Sequence, residues 1–134
     1  MIKELKDISL IQPQHIELVS LAINEESALN HMKNSIINDD ASCLVYTSNK
    51  MIFGIVTTKQ IGDLSEITCI AVRKEYSRQG IGKALMDFIK SRHSHLIAET
   101  DDDAVDFYKK QGFIIHSLGE KYPGVIRYKC EYTE

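Results

Sequence analysis

The feature that most constrains this sequence is an apolar strand that leads through a charged loop and two glycines into an amphipathic helix. The segment Glu66–Val72 reads EITCIAV and is apolar enough to lie at the centre of a sheet. Beyond it, apolar residues recur at the spacing of one helix face, at Ile81, Ala84, Leu85, Phe88 and Ile89. A strand joined to a helix that must bury such a face predicts a mixed α/β sheet covered by helices.

The remaining segments extend this pattern to the order β-α-α-β-β-β-α-β-α-β-β. Further helices are predicted at Gln12–Ile23, Glu25–Ile37 and Asp103–Gln111, from the helical spacing of their apolar residues. Further strands are predicted at Ile2–Ile8, Ser42–Thr47, Met51–Ile61, His95–Thr100, Phe113–Leu118 and Val125–Tyr132. The 134 residues contain no repeat and no linker, so we expect a single domain over residues 1–134.

Charge and cysteine content exclude several classes of protein. Sixteen Lys and Arg against nineteen Asp and Glu leave a net charge of −3, which argues against a nucleic-acid partner. No apolar run approaches the ~20 residues of a membrane span, and the N-terminal residues lack a secretory pattern. The three cysteines are far apart and form no CxxC pair, which is typical of reduced thiols. We therefore expect a cytoplasmic protein with neither a nucleic-acid nor a membrane partner.

The loop before the third helix has the chemistry of a phosphate site. It consists of Arg78, Gln79, Gly80, Ile81, Gly82 and Lys83. The first turn of a helix presents amides without intrahelical acceptors, and glycines let a diphosphate approach the backbone. The spacing fits neither a Walker loop nor a dinucleotide fingerprint. Taken alone, the two glycines could equally well shape nothing more than a tight turn from strand to helix.

Two motifs in register resemble the GNAT superfamily of N-acetyltransferases. The segment Ser77–Gly82 resembles motif A, Gln/Arg-x-x-Gly-x-Gly/Ala, with serine at its first position. Downstream, Asp101, Ala104, Phe107–Tyr108 and Gly112–Phe113 resemble motif B, Asn-x-x-Ala-x-x-Phe-Tyr followed by Gly-Phe. Aspartate stands where motif B has asparagine. The motifs cover roughly 50 residues, and the predicted element order agrees over the whole chain.

The resemblance implies a GNAT-like fold, with a central mixed sheet flanked by about four helices, and acetyl-CoA as cosubstrate. In this family the central strand splays from its neighbour, and the pantetheine arm pairs with the exposed backbone. Carried over, that edge is Ile70, Ala71 and Val72, with the N–H at Ile70 aimed at the thioester carbonyl. The phosphates would lie on Arg78–Lys83, and Asp101 takes the position of a coenzyme-contacting residue.

The same resemblance places Tyr108 at the family's general acid. An amine acceptor must also lose a proton, and two carboxylates are candidates for its base. Glu66 begins the central strand and Glu99 lies near the end of the next one, where burial could raise the pKa of a carboxylate. Each could instead be a solvated charge at a strand end. No metal is expected, because Asp101–Asp103 suits helix capping and the histidines lack ligand-like spacing.

These observations predict direct transfer of an acetyl group from acetyl-CoA to a primary amine of a small molecule or a protein. The final hairpin, within Ser117–Cys130, would frame the acceptor, with Tyr122 and Arg127 as candidate contacts. An exposed edge on the last strands would allow a homodimer. Two alternatives stay open, a non-catalytic sensor of acyl-CoA and a general nucleotide-phosphate protein.

Overall fold

Seven strands and four α-helices follow one another in the order that the sequence predicts. The computed structural model describes residues 1–134. The strands are β1 (Ile2–Glu4), β2 (Ala41–Ser48), β3 (Met51–Ile61), β4 (Leu64–Val72), β5 (His95–Asp101), β6 (Ile114–Tyr122) and β7 (Val125–Thr133). The helices are α1 (Pro13–Ser20), α2 (Glu25–Ile37), α3 (Ile81–Arg92) and α4 (Val105–Lys110). None of these helices combines the length and the apolar character needed to cross a membrane.

The strands form one mixed sheet in the order β1-β2-β3-β4-β5-β7-β6. Every neighbouring pair is antiparallel except β4 and β5, which run parallel. A parallel pair needs a crossover connection, and α3 supplies it. The predicted mixed α/β sheet with four covering helices is confirmed.

The parallel pair separates almost as soon as it forms. Only Ser65 with Leu96 and Glu66 with Ile97 are in register between β4 and β5. Beyond them β5 continues along β7 as far as Asp101, whereas β4 keeps only its partner β3. The edge of β4 from Ile67 to Val72 is therefore free on one side, and this is the splay that the family resemblance implies.

Two hydrophobic cores hold the sheet in place, one on each face. Under α3, the fully buried Leu85 and Met86 belong to the same cluster as Leu44 and Val56 of the sheet. On the opposite face, Leu18 of α1 and Met32 of α2 pack with residues of β2 to β4. Truncating a buried leucine or methionine to alanine costs about 2–5 kcal/mol. The helices thus fix the sheet from both sides and leave the splay as the opening.

Local hydrogen bonding displaces some element ends from the predicted positions. The first strand stops at Glu4 instead of Ile8, because the Asp7 carboxylate accepts the backbone N–H of Ser9 and starts a 3-10 turn over Ile8–Leu10. The first helix ends at Ser20 and not at Ile23. The strand β6 ends at Tyr122, four residues beyond the predicted end at Leu118, because its pairing with β7 continues to the turn at Pro123-Gly124.

Candidate functional site

The splay opens into a cleft of about 400 Å³ between β4 and β5. One wall is the free edge of β4, and the opposite wall comes from the end of β5 and from α4. Leu21 and Ala22, between α1 and α2, close one side. Seven of the residues assigned to catalysis or to coenzyme binding line the cleft, namely Ile70, Ala71, Val72, Gly82, Glu99, Asp101 and Tyr108, whereas Glu66, Arg78, Gln79, Gly80, Ile81 and Lys83 do not. Arg127, named as an acceptor contact, lines it too, whereas Tyr122 does not.

The edge of β4 presents main-chain groups to this cleft. On its other side, Val56 pairs with Ile70 and Ile55 with Ala71 in the antiparallel ladder with β3. Successive residues of a strand direct their N–H and C=O groups to opposite edges, so part of the segment from Ile67 to Val72 points into the cleft. Such an edge can accept an extended ligand as an additional strand.

A β-bulge lies within this edge. Thr58 pairs with Ile67 and Thr57 pairs with Cys69, which leaves Thr68 as an extra residue in β4. A bulge increases the local twist and redirects a side chain. Here the Thr68 Oγ1 lies 2.7 Å from the Oγ1 of Thr57 on the neighbouring strand. Thr68 also lines the cleft.

The loop before α3 ends in free backbone amides. The first intrahelical hydrogen bond is donated by the N–H of Ala84 to the carbonyl of Gly80, so the amides of Ile81, Gly82 and Lys83 have no acceptor in the protein. Gly80 caps the helix with φ of 84° and Arg78 has φ of 63°. Both angles lie in the left-handed region, which favours glycine. The helix dipole adds to these amides a partial positive charge suited to an anion.

The two glycines serve different purposes. A Cβ at Gly80 would meet nothing within 4 Å, so its backbone conformation is what requires glycine. A Cβ at Gly82 would lie 3.1 Å from the ring of Phe107, so close packing of α3 on α4 requires the second glycine. This contact joins the two motifs. Lys83 directs its Nζ to the Asp87 carboxylate at 2.7 Å, so its charge is already paired on the exposed helix face.

Tyr108 lies on α4 with its ring buried and its hydroxyl open to the cleft. Its ring packs edge-on against Phe107 and Phe113, and its exposed fraction is 4%. No hydrogen bond joins the Tyr108 hydroxyl to another group of the protein, and every side-chain N or O atom without access to solvent has a hydrogen-bond partner. The oxygen must therefore contact the solvent of the cleft. Burial raises the pKa of Tyr108 above its usual value, which keeps the hydroxyl protonated at neutral pH.

The two candidate carboxylates lie in different surroundings. Glu99 lines the cleft and accepts hydrogen bonds from Lys121 at 2.9 Å and from Arg127 at 3.1 Å. The hydrogen bond from Lys121, with further help from Arg127, holds the pKa of Glu99 below its usual range, opposite to the expected rise. Glu66 lies at the base of the splay, beside Ile97, and is not part of the cleft lining. Their assignment as bases stays a prediction.

Asp101 has a structural partner as well as a place in the cleft. Its Oδ1 accepts the backbone N–H groups of Asp103 at 3.0 Å and of Ala104 at 3.3 Å, just before α4. These bonds stabilise the turn before α4, whose N-cap is Ala104 without a side-chain hydrogen bond, so the helix capping expected of the aspartate run is not found. No group of three or more His, Cys, Asp or Glu side chains is arranged to hold a metal ion.

Sequence reasoning missed a polar chain behind the bulge. The Nε2 of His31 on α2 lies 2.8 Å from the Oγ1 of Thr57, which in turn contacts Thr68. Thr57 is fully buried. A threonine in the middle of the apolar strand EITCIAV was an available signal, but the bulge that turns Thr68 toward Thr57 leaves no mark in the residue pattern.

Comparisons with known proteins agree with this geometry. A family model described as an acetyltransferase (GNAT) domain matches residues 10–126. The peptidyl-lysine N-acetyltransferase YiaC of Escherichia coli (strain K12) is 49% identical over 41 residues, which span 28% of this chain and 28% of that protein. The chain thus aligns with less than a third of this relative's length.

Two solved structures share the fold over nearly the whole chain. An aminoglycoside 6'-N-acetyltransferase complexed with coenzyme A has a TM-score of 0.82 at 17% identity, covering 99% of this chain and 96% of that one. A GNAT family acetyltransferase from Elizabethkingia anophelis with acetyl-CoA bound has a TM-score of 0.77 at 18% identity, covering 100% and 97%. Both likenesses confirm the GNAT-like fold. The matched family model shows that this chain belongs to the GNAT acetyltransferase family.

Proposed function

We propose that the protein is an acetyl-CoA-dependent N-acetyltransferase that transfers the acetyl group directly to a primary amine of a small molecule or a protein. The observation that carries this proposal is a cleft lined by a free strand edge, by Tyr108 and by Gly82, whose backbone amide is one of the free amides at the start of α3. The pantetheine arm would pair with Ile70, Ala71 and Val72. The pyrophosphate would lie on the loop from Arg78 to Lys83, against the amides without acceptors.

The thioester would react at the point where β4 faces α4. A backbone N–H of the β4 edge, at Ile70, would stabilise the oxyanion that develops on the carbonyl. The thiol of coenzyme A resembles a cysteine, with a pKa around ~8.5. In the cleft the departing thiolate loses hydration, which raises its proton affinity, and the Tyr108 hydroxyl would supply the proton.

The acceptor enters on the other side of the thioester. Leu21 and Ala22 line that side, and Arg127 of the last hairpin reaches the same cleft. The lining contains the carboxylates of Glu99, Asp101 and Asp103 against the single cation of Arg127, a balance that favours a positively charged amine. The relatives include an enzyme named for peptidyl-lysine and one named for an aminoglycoside, so both acceptor classes are kept.

The free amine must be generated from its ammonium form, since an aliphatic amine has a pKa near ~10.4. Glu99 would be the directly placed carboxylate, and Glu66 would act from the base of the splay through water. A cytoplasmic location is part of the same proposal, supported by three free cysteines. The unpaired edge of β6 supports a homodimer.

The test is release of coenzyme A from acetyl-CoA by purified protein, screened over polyamines, amino acids, aminoglycosides and lysine-containing peptides. We expect one class of amine to release coenzyme A at a rate well above that of acetyl-CoA hydrolysis without an amine. Calorimetry with coenzyme A in parallel separates the alternatives. Binding without turnover across the library would favour a sensor, and ATP bound as tightly as coenzyme A would favour a nucleotide-phosphate protein.

A further inference from the structure

A continuous chain of hydrogen-bonding side chains runs from the cleft across β4 and β3 to α2, on the face of the sheet that α1 and α2 cover. Thr68 lines the cleft, its Oγ1 lies 2.7 Å from the Thr57 Oγ1, and that oxygen lies 2.8 Å from the Nε2 of His31. The bulge in β4 creates the first of these contacts, because it turns Thr68 toward the strand that carries Thr57. Neither motif of the family resemblance includes any of these three residues.

We propose that Thr68, Thr57 and His31 form a proton path that takes a proton from the acceptor amine. This inference rests on the proposed function, and it supplies the base step without relying on Glu66 or Glu99. Thr68 would contact the amine, whereas Thr57 and His31 act through it and are positioning residues.

The hydroxyl groups can all point in the direction that the path requires. A threonine hydroxyl donates one hydrogen bond and accepts others. With the Thr68 hydroxyl donating to Thr57, and Thr57 donating to Nε2 of His31, the Thr68 oxygen is left free to accept from the ammonium group. Thr57 is fully buried and cannot exchange these partners for water. Either hydroxyl can donate in the contact between the two threonines, so this direction is open to the chain when Nε2 of His31 carries no proton.

His31 is suited to the far end of the path. Burial lowers the pKa of its imidazole, so the ring is neutral at neutral pH and Nε2 can accept a proton. The titratable groups beside Thr57 on the neighbouring strands are the thiols of Cys43 and Cys69. Burial raises the pKa of each thiol to about 12, so both stay neutral. His31 is half-buried, so it can return its proton to bulk water.

The proton balance of the reaction is complete with this path. The ammonium gives one proton to the Thr68 oxygen, the two hydroxyl protons each move one step, and His31 becomes protonated. The neutral amine then forms a bond to the thioester carbon, and the carbon–sulfur bond breaks with its electron pair on sulfur. Tyr108 gives its proton to the thiolate, and the nitrogen then gives its second proton back to the Tyr108 oxygen. His31 releases the first proton to solvent.

The test compares His31→Gln and Thr57→Val with Thr57→Ser, which keeps the hydroxyl, and with His116→Gln as a control. His116 is exposed on β6 and outside the cleft. With acetyl-CoA and the fastest amine of the library, we expect kcat to fall about a hundredfold in the first two variants at neutral pH. The KM for acetyl-CoA should stay unchanged, and Thr57→Ser and the control should stay close to the unmodified protein.

The pH profile distinguishes a proton path from a structural network. The deficit of His31→Gln should shrink as pH rises toward ~10, because the amine then loses its proton to solvent unaided. A deficit that is equal at every pH would overturn the proposal, as would full activity in His31→Gln. If the unmodified protein binds coenzyme A but acetylates no amine, the proposed function itself fails.

Discussion

The two sides of the cleft are built on different principles. The proposed coenzyme side consists of main chain, namely the free edge of β4 and the amides at the start of α3, where Gly80 allows the positive φ and Gly82 the close packing on Phe107. The proposed acceptor side consists of side chains such as Thr68 of β4 and Arg127 of the last hairpin, with Thr57 of β3 and His31 of α2 behind Thr68. Main chain can bind its ligand whatever the side chains are, whereas recognition by side chains depends on which residues stand there.

The largest effect is expected from a substitution of Tyr108, which should lower turnover without changing coenzyme A binding. In Tyr108→Phe the proton for the leaving thiolate is lost, and we expect kcat to fall about a hundredfold or more. Affinity for coenzyme A, measured by calorimetry, should stay unchanged because the ring still packs against Phe107 and Phe113. Tyr132→Phe is the matched control, since Tyr132 packs in the same cluster but lies outside the cleft. Equal activity in both variants would remove Tyr108 from the chemistry.

The role of the main chain in coenzyme binding can be tested with alanine substitutions at two glycines that have the same backbone conformation. Gly80→Ala and Gly124→Ala each place a Cβ at positive φ, 84° and 76°, with no atom within 4 Å. Each should lose about 1–2 kcal/mol of unfolding free energy, because the left-handed conformation is unfavourable for alanine. Only Gly80→Ala should also weaken coenzyme A binding, by about tenfold, as the helix start rearranges. If both variants bind coenzyme A equally well, the loop is a turn and not a phosphate site.

The smallest expected effect concerns the ion pairs at the mouth of the acceptor side. Because the folded pKa of Glu99 is lowered, its stabilising contribution is present above the unfolded value near 4.5 and is lost as pH falls through the folded value. At neutral pH, Glu99→Gln should therefore lower the free energy of unfolding by less than about 1 kcal/mol, as is typical of exposed ion pairs. The Tm should fall slightly. The difference from the unmodified protein should vanish in acid. A difference that persists there would assign the effect to packing.

The strand, the glycine turn and the helix that carry the proposed coenzyme side could be predicted from sequence because their determinants are local. The apolar stripe of α3 fixes the helix face, and Gly80 and Gly82 lie beside it in the chain. The sequence does not show that Gly82 contacts Phe107, but it does show the two motifs to which these residues belong. The splay followed from the family resemblance, and the register of β4 and β5 bears it out.

The acceptor side could not be predicted because it depends on register between distant segments. Thr57 and Thr68 meet only through one extra residue in β4, and His31 joins them from a helix 26 positions away in sequence from Thr57. The pairing of Glu99 with Lys121 and Arg127 likewise depends on how β5, β6 and β7 align. These alignments reverse the expected direction of the Glu99 pKa shift.

The most direct test of the main-chain coenzyme site is a crystal structure of the protein with coenzyme A. We expect the pantetheine arm to run along the free edge of β4 at Ile70–Val72 and the pyrophosphate to accept hydrogen bonds from the amides of Ile81, Gly82 and Lys83. A coenzyme found in another part of the molecule, with this cleft filled by solvent, would contradict the proposed function at its foundation.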